Sequence, residues 1–267
     1  MKRVTLLGGE GFVGQNLLDY LKSMYICFSL SRKCSPFRKS SKDFVACNPY
    51  IQQWPQKSDV YVHLIDNTKY DELSLAGNLP PKSHLILFSS AVVYANPESE
   101  YGQRKIKLEA FYKNYCQDHN IDLTILRLFN VYGYYQIPFR QGSLIANILY
   151  NHINGIPTKI NNLQVTRDFI FASDIAKIIE KIIDNKIVGT YDLATGKMRS
   201  ISEIIKIISL GIGENINVIV STKEDIACPS AENIIPYDKL EDIESSVIRA
   251  FKFYQENNRL MERIVNS

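Results

Sequence analysis

The sequence contains no CxxC pair and an odd number of cysteines, at Cys27, Cys34, Cys47, Cys116 and Cys228. That excludes a disulfide framework and a zinc site built on paired cysteines, and it predicts reduced thiols in the cytoplasm. No metal site is expected. No apolar run reaches the ~18 residues of a membrane span. The strand-like start MKRVTLLGG is too short for a signal peptide. Excess charge is also scarce: a net +3 over 267 residues, without a dense Lys/Arg patch, gives no electrostatic case for nucleic acid. The one basic cluster, SRKCSPFRKSSK from Ser31 to Lys42, reads as a solvated loop. Repeats, low-complexity tracts and long linkers are absent, so the length suits one large or two closely packed α/β domains.

What is present alternates strand with helix. RVTLLGG, YICFSLS, DVYVHLI, SHLILFSSAVVY and IDLTILRLFNVYG are mostly continuous apolar runs, the mark of strands buried on both faces. Helical patterns separate them: GFVGQNLLDYLKSM, with Val13, Leu17, Leu18 and Leu21 on one face, and EYGQRKIKLEAFYKNYCQDHN. A parallel sheet covered on both faces follows. The second half is more mixed. GSLIANILYNHINGIP is a helix stopped by Gly155 and Pro157, and RDFIFASDIAKIIEKIIDN is a strand leading into a helix. GTYDLATG is a strand, SISEIIKIISLGI a helix with Ser202 as its expected N-cap, and the C-terminal stretch is helical. The later segments are expected to form a small second lobe over the C-terminal edge of the sheet.

Gly8, Gly11 and Gly14 follow the first strand and open the first helix. Such a turn can cradle a pyrophosphate: the glycines allow a tight bend and close approach, and the helix N-terminus adds positive potential. The alternative is an ordinary strand-to-helix turn. Dinucleotide folds often place an acid at the end of the second strand for the ribose 2′-hydroxyl. Here that place holds Ser31, Arg32 and Lys33, which suits the 2′-phosphate of NADP unless these side chains are merely exposed.

Tyr101 and Lys105 lie four residues apart on one helix face. An ammonium beside a phenol lowers its pKa and makes it usable for proton transfer near neutral pH; the plain alternative is a surface pair. Upstream, Ser89 and Ser90 end a strand, where the active sites of open α/β sheets lie. A hydroxyl there can bond a substrate carbonyl, or simply close a turn.

Taken in order, these motifs resemble the extended short-chain dehydrogenases/reductases, the nucleotide-sugar epimerase/dehydratase/reductase group. GGEGFVG is close to the family's TGxxGF(I/V)G, with Leu7 in place of Thr. DVYVHLI resembles DVVxHLA, SSAVVY resembles SSxxVYG, and YGQRK matches YxxxK. LRLFNVYG, VTRDFIFASDIAK and YDLATGKMRSISEI resemble three further motifs, so the likeness runs almost end to end. It implies a Rossmann-type doubly wound parallel sheet with a small C-terminal substrate-binding lobe. Residues 1–130 and about 165–195 would bind the cofactor, and about 131–164 and 196–267 the substrate.

Residue by residue, the resemblance implies a catalytic set of Ser90, Tyr101 and Lys105. Tyr101 would be the acid/base, Ser90 would bond the reacting oxygen, and Lys105 would hold the nicotinamide ribose. Gly8, Gly11, Phe12, Val13, Gly14 and Leu64 would join Ser31, Arg32, Lys33 and Lys105 around NADP(H), with NAD the alternative. Asn130 and Arg167 would hold the diphosphate of a nucleotide-sugar partner, unless Arg167 forms a structural salt bridge with Asp168 or Asp174. A homodimer also follows from the family, and synthesis of a deoxy-sugar for surface polysaccharide such as lipopolysaccharide O-antigen is its expected setting.

The departures narrow the reaction. Sugar 4,6-dehydratases carry Asp-Glu where this chain has Ala91 and Val92. Reductases that also epimerise carry a Cys where Val92 stands and a His near Ser143, and no histidine lies between His119 and His152. What remains is hydride transfer at one carbon: NADPH-dependent reduction of a 4-keto-6-deoxy nucleotide sugar is preferred on the Arg32 reading. An NAD-dependent 4-epimerase is the alternative, and a catalytically idle NADP-binding regulator a third reading. The segment after Ile65 is short for the family's helical dimer contact. DIACPSAENIIPYDKL lacks the Arg that clamps the diphosphate in many members, leaving Arg167, Arg140 or Lys197 for that task.

Overall fold

A computed structural model describes residues 1–38, 43–140, 142–221, 228–237 and 239–267. The first half runs β1 (Arg3–Leu7), α1 (Phe12–Leu21), β2 (Ile26–Ser31), β3 (Phe44–Ala46), β4 (Val60–His63), α2 (Glu72–Ala76), β5 (His84–Ser90), α3 (Val92–Ala95), α4 (Glu100–Asp118) and β6 (Asp122–Leu128). The second half runs β7 (Asn130–Tyr132), α5 (Leu144–Ile153), β8 (Thr158–Ile160), β9 (Thr166–Phe171), α6 (Ala172–Asn185), β10 (Gly189–Leu193), β11 (Met198–Ser200), α7 (Ile201–Ile212), β12 (Val218–Val220), α8 (Ile243–Glu256) and α9 (Asn258–Val265).

Seven strands form one parallel sheet in the order β10-β6-β5-β4-β1-β2-β3. This is the doubly wound arrangement expected from the apolar runs. β5 is buried from His84 through Ser89, and β4 along its whole length. α1 and α6 cover one face: Leu17, Leu18 and Leu21 share a core with Ile175, Ile178, Ile179 and Ile182. On the other face Tyr112 and Cys116 of α4 pack with Leu75 and Leu85. The chain reverses direction across the sheet between β1 and β4, which opens a crevice at the strand C-termini.

The remaining strands build smaller sheets. β7, β9 and β11 form a three-stranded sheet, and β8 pairs with β12. They share a core with α5, α7, α8 and α9 around Ile148, Leu149, Ile204, Val247 and Met261.

Several boundaries differ from the sequence reading. SHLILFSSAVVY is a strand only to Ser90; the Val92 N–H then donates to Ser90 Oγ and the chain winds into α3. IDLTILRLFNVYG divides into β6 and β7, which enter different sheets. The cap of α7 is Ser200, not Ser202: its hydroxyl accepts from the Glu203 N–H, and the Glu203 carboxylate accepts from the Ser200 N–H, a reciprocal box that Ser202 cannot make. The C-terminal helix breaks at Asn257. The strands β3, β8, β11 and β12 are three residues each, too short for a periodic signal.

Candidate functional site

The glycine turn shapes the first half of the site. Gly8 has φ +85°, a left-handed conformation that favours glycine. A Cβ on Gly14 would lie 2.5 Å from the Gly9 carbonyl oxygen, so only glycine lets α1 close on the turn. Gly11 caps α1 without a side-chain hydrogen bond, leaving first-turn N–H groups for an anion. Gly8, Gly11, Ser31, Arg32, Lys33 and Leu64 line one cleft of about 720 Å³. Its size, its bare glycine backbone and its three cations, Arg32, Lys33 and Lys69, fit a nicotinamide dinucleotide. Phe12 and Val13 face the neighbouring cleft, and Gly14 serves the packing of helix on turn.

The basic segment after β2 departs from the solvated-loop expectation. Arg32 and Lys33 are exposed, but Ser35 is buried and the Arg38 side chain is 12% exposed. The cause is Glu10, in a variable position of the glycine motif and buried itself. Its carboxylate accepts the Ser35 N–H at 2.9 Å and pairs with Arg38 at 3.3 Å. The rest of the cluster, residues 39–42, lies outside the described residues.

The second half of the site is a cleft of about 600 Å³ lined by Ser90, Tyr101, Asn130 and Arg167. These four come from three different regions of the chain, the end of β5, the start of α4 and the β7–β9 pair. Ser99 caps α4 through the Gly102 N–H, and a Cβ on Gly102 would meet the Asn96 carbonyl oxygen at 2.3 Å, so the helix start is pressed against the loop before it. The two candidate serines separate: Ser89 is buried and donates to Glu109 at 2.6 Å, whereas Ser90 accepts the Val92 N–H and lines the cleft together with Tyr101.

Lys105 is buried, with its ammonium 3.5 Å from Asp66 and 5.6 Å from the centre of the Tyr101 ring. Burial holds that lysine below its ordinary pKa, against the pull of Asp66. The expectation that Lys105 depresses the Tyr101 phenol is not met. Burial pushes the phenol up, the neighbouring Ser90 hydroxyl opposes this, and Asp66 adds to the rise. Asp66 also pairs with Arg104 at 3.4 Å, and it lines the dinucleotide cleft.

At the far wall, Asn130 donates to the Asp168 carbonyl oxygen at 3.2 Å and approaches Cys228 Sγ at 3.9 Å. The carboxylates offered as alternative partners of Arg167 are engaged elsewhere. Asp168 accepts from Thr195 and the Gly196 N–H, and Asp174 from Lys177 and the Glu241 N–H. Arg167 faces the cleft, whereas Arg140 and Lys197 are exposed and outside it. Of the segment DIACPSAENIIPYDKL, residues 225–227 and 238 lie outside the described residues. Among the described residues no carboxylate lines this cleft, no cluster could hold a metal, and no helix is long and apolar enough to cross a membrane.

Sequence reasoning missed Glu10, Asp66 and Cys228. Glu10 stood inside the quoted motif, and Asp66 directly follows the DVYVHLI strand. Cys228 carried no signal, because only the fold brings it to Asn130.

The family model described as GDP-mannose 4,6 dehydratase matches residues 91–253, more than half of the chain. A UDP-2-acetamido-2,6-beta-L-arabino-hexul-4-ose reductase of Pseudomonas aeruginosa is 26% identical over 207 residues, covering 75% of this chain. The chain spans 54% of that relative's length, about half. A UDP-N-acetylglucosamine 4-epimerase from Methanobrevibacter ruminantium, solved with UDP-N-acetylmuramic acid, superposes with a TM-score of 0.78 at 19% identity, over 96% of this chain and 99% of that one. The Bordetella bronchiseptica enzyme WbmF, solved with NADH, superposes with a TM-score of 0.79 at 18% identity, over 99% and 95% of the two chains. At these identities the superpositions establish the shared fold.

Proposed function

Because the chain belongs to the GDP-mannose 4,6 dehydratase family, we propose that it is an oxidoreductase of nucleotide sugars that uses NADPH to reduce a 4-keto-6-deoxy sugar. The observation that carries this reading is the ribose end of the dinucleotide cleft. No acid stands at the end of β2, and Arg32 and Lys33 line the cleft there, where a 2′-phosphate would need cations. A cofactor that is consumed in each turnover suits a reductase. The Pseudomonas relative, named as a reductase of a 4-ulose nucleotide sugar, is in keeping with it.

A reduced nicotinamide dinucleotide supplies the hydride when bound. The chain supplies the rest. Ser90 and Tyr101, which line the same cleft, hold the keto oxygen. Tyr101 donates the proton, and its raised pKa keeps it in the acid form that reduction requires. Lys105 stabilises the phenolate left behind. Asn130 and Arg167 grip the diphosphate and so orient the sugar. Dehydration of the sugar lacks its second acid: Ala91 and Val92 line the cleft where a carboxylate pair would be needed.

The large sheet with α1 and α6 acts as the cofactor lobe and the small sheets with α5, α7, α8 and α9 as the substrate lobe. The product is a deoxy-sugar nucleotide for surface polysaccharide, made in the cytoplasm. The likeness to the Methanobrevibacter epimerase and to NADH-bound WbmF favours a second reading, a 4-epimerase that retains NAD. The purified chain, mixed with NADPH and a 4-keto-6-deoxy nucleotide sugar, distinguishes them. Loss of reduced-nicotinamide absorbance in step with sugar reduction is expected. Tightly retained NAD with no net NADPH oxidation would replace the reductase with the epimerase.

A further inference from the structure

Glu10 is a carboxylate that the proposed chemistry does not use. It is 8% exposed, stands in the glycine turn, and lines the dinucleotide cleft. A buried carboxylate is retained at such a place only with strong partners. Here all of them come from the segment that follows β2. The Ser35 N–H donates at 2.9 Å, the Arg38 guanidinium pairs at 3.3 Å, and the Cys34 thiol approaches at 3.6 Å. The Glu10 N–H in turn donates to Ser31 Oγ at 3.3 Å. Arg38 is held from its other side by Asp43 at 3.8 Å. The segment is also anchored away from the turn, where the Phe37 ring packs edge-on against Tyr135 at 5.5 Å and at a tilt against Phe253 at 6.0 Å.

Between Ser31 and Cys34 the chain has two residues, Arg32 and Lys33, both exposed and both on the cleft. Their backbone is therefore fixed at each end by contacts with Glu10. We propose that Glu10 is a cofactor-selectivity residue. It positions Arg32 and Lys33 at the ribose end of the cleft and so sets the preference for a 2′-phosphorylated dinucleotide. This rests on the NADPH reading above. Arg38 offsets the carboxylate, so that Arg32 and Lys33, next to each other in the chain, are the cations Glu10 positions in a cleft that Lys69 and Asp66 also line. The role is one of positioning, since Glu10 would itself repel a phosphate.

Equilibrium titration of the full chain with NADPH and with NADH tests it, on the parent protein, Glu10→Gln, Arg38→Met and the double variant Arg32→Ala/Lys33→Ala. The parent is expected to prefer NADPH, and the double variant to lose that preference. Glu10→Gln and Arg38→Met are each expected to lower the NADPH-to-NADH affinity ratio by roughly tenfold while NADH binding stays within about twofold. Arg38→Met is expected to lose more, because it leaves a buried, uncompensated carboxylate near the phosphate. A parent without NADPH preference overturns the cofactor reading, and this inference with it. A double variant that loses the preference while Glu10→Gln and Arg38→Met keep it overturns the inference alone. If Glu10→Gln fails to fold, Arg38→Met decides. Equal loss of both cofactors there would assign the pair a merely structural role and overturn the proposal.

Discussion

The buried Lys105 ammonium lies 3.5 Å from a carboxylate oxygen of Asp66, which lines the dinucleotide cleft. The pair joins the loop after β4 to the first half of α4. Asp66 therefore acts on both the lysine and the tyrosine: it favours the charged ammonium and resists formation of the phenolate.

Asp66→Asn follows from that relationship. In the proposed reduction Tyr101 serves as an acid only while protonated, so the rate is expected to fall as pH rises through its pKa. Burial and Asp66 both raise that pKa. Removing the carboxylate lowers it, and the alkaline limb of the pH–rate profile moves to lower pH. Asp66 is half exposed, so the shift is modest and shrinks at high salt. An unmoved limb at low ionic strength would remove Asp66 from this role.

Tyr101→Phe removes the proposed proton donor while keeping the ring. The expected loss in kcat is about a hundred- to ten-thousandfold. NADPH affinity should stay close to that of the parent, because the phenol faces the substrate cleft. Steady-state kinetics and a cofactor titration on the same preparation check both halves. Full turnover by this variant would discard the proposed chemistry.

Gly14→Ala tests the turn as a cradle. The added Cβ would meet the Gly9 carbonyl oxygen at 2.5 Å, a backbone atom that moves only with the turn. Overpacking of this kind costs about 1–3 kcal/mol. Thermal unfolding should register that loss, and dinucleotide affinity should drop by roughly tenfold or more. Unchanged affinity would mean that the turn is only a connection.

Glu109→Ala tests the frame behind Ser89. Glu109 is buried, accepts the Ser89 hydroxyl, and pairs with Arg127 at 2.7 Å. Arg127 also donates to Tyr94, whose hydroxyl bonds Asp192 at 3.0 Å. Deleting one member of a buried pair strands the other, at about 3 kcal/mol here because Arg127 is partly exposed. Urea unfolding measures it, and a loss below about 1 kcal/mol would show that the network adds little.

Much of this molecule was legible from short stretches. The glycine turn, the apolar runs of β1, β4 and β5, and the four-residue spacing of Tyr101 and Lys105 are local patterns, and local sterics and periodicity determine what they become. Ordered along the chain, they also identify the doubly wound fold.

Tertiary structure alone decided the rest. Ser89 and Ser90 are neighbours of the same type, and only the alternation of β5 sends one to Glu109 and the other into the cleft lined by Tyr101. Glu10 and Arg38 lie 28 residues apart, Asp66 and Lys105 further still, and Asn130 and Cys228 are separated by 98. Such pairs have no period and no spacing rule. Burial and the meeting of distant segments set the electrostatics of this cluster, and so decided that Asp66 opposes the effect of burial on Lys105 and adds to the rise of the Tyr101 phenol.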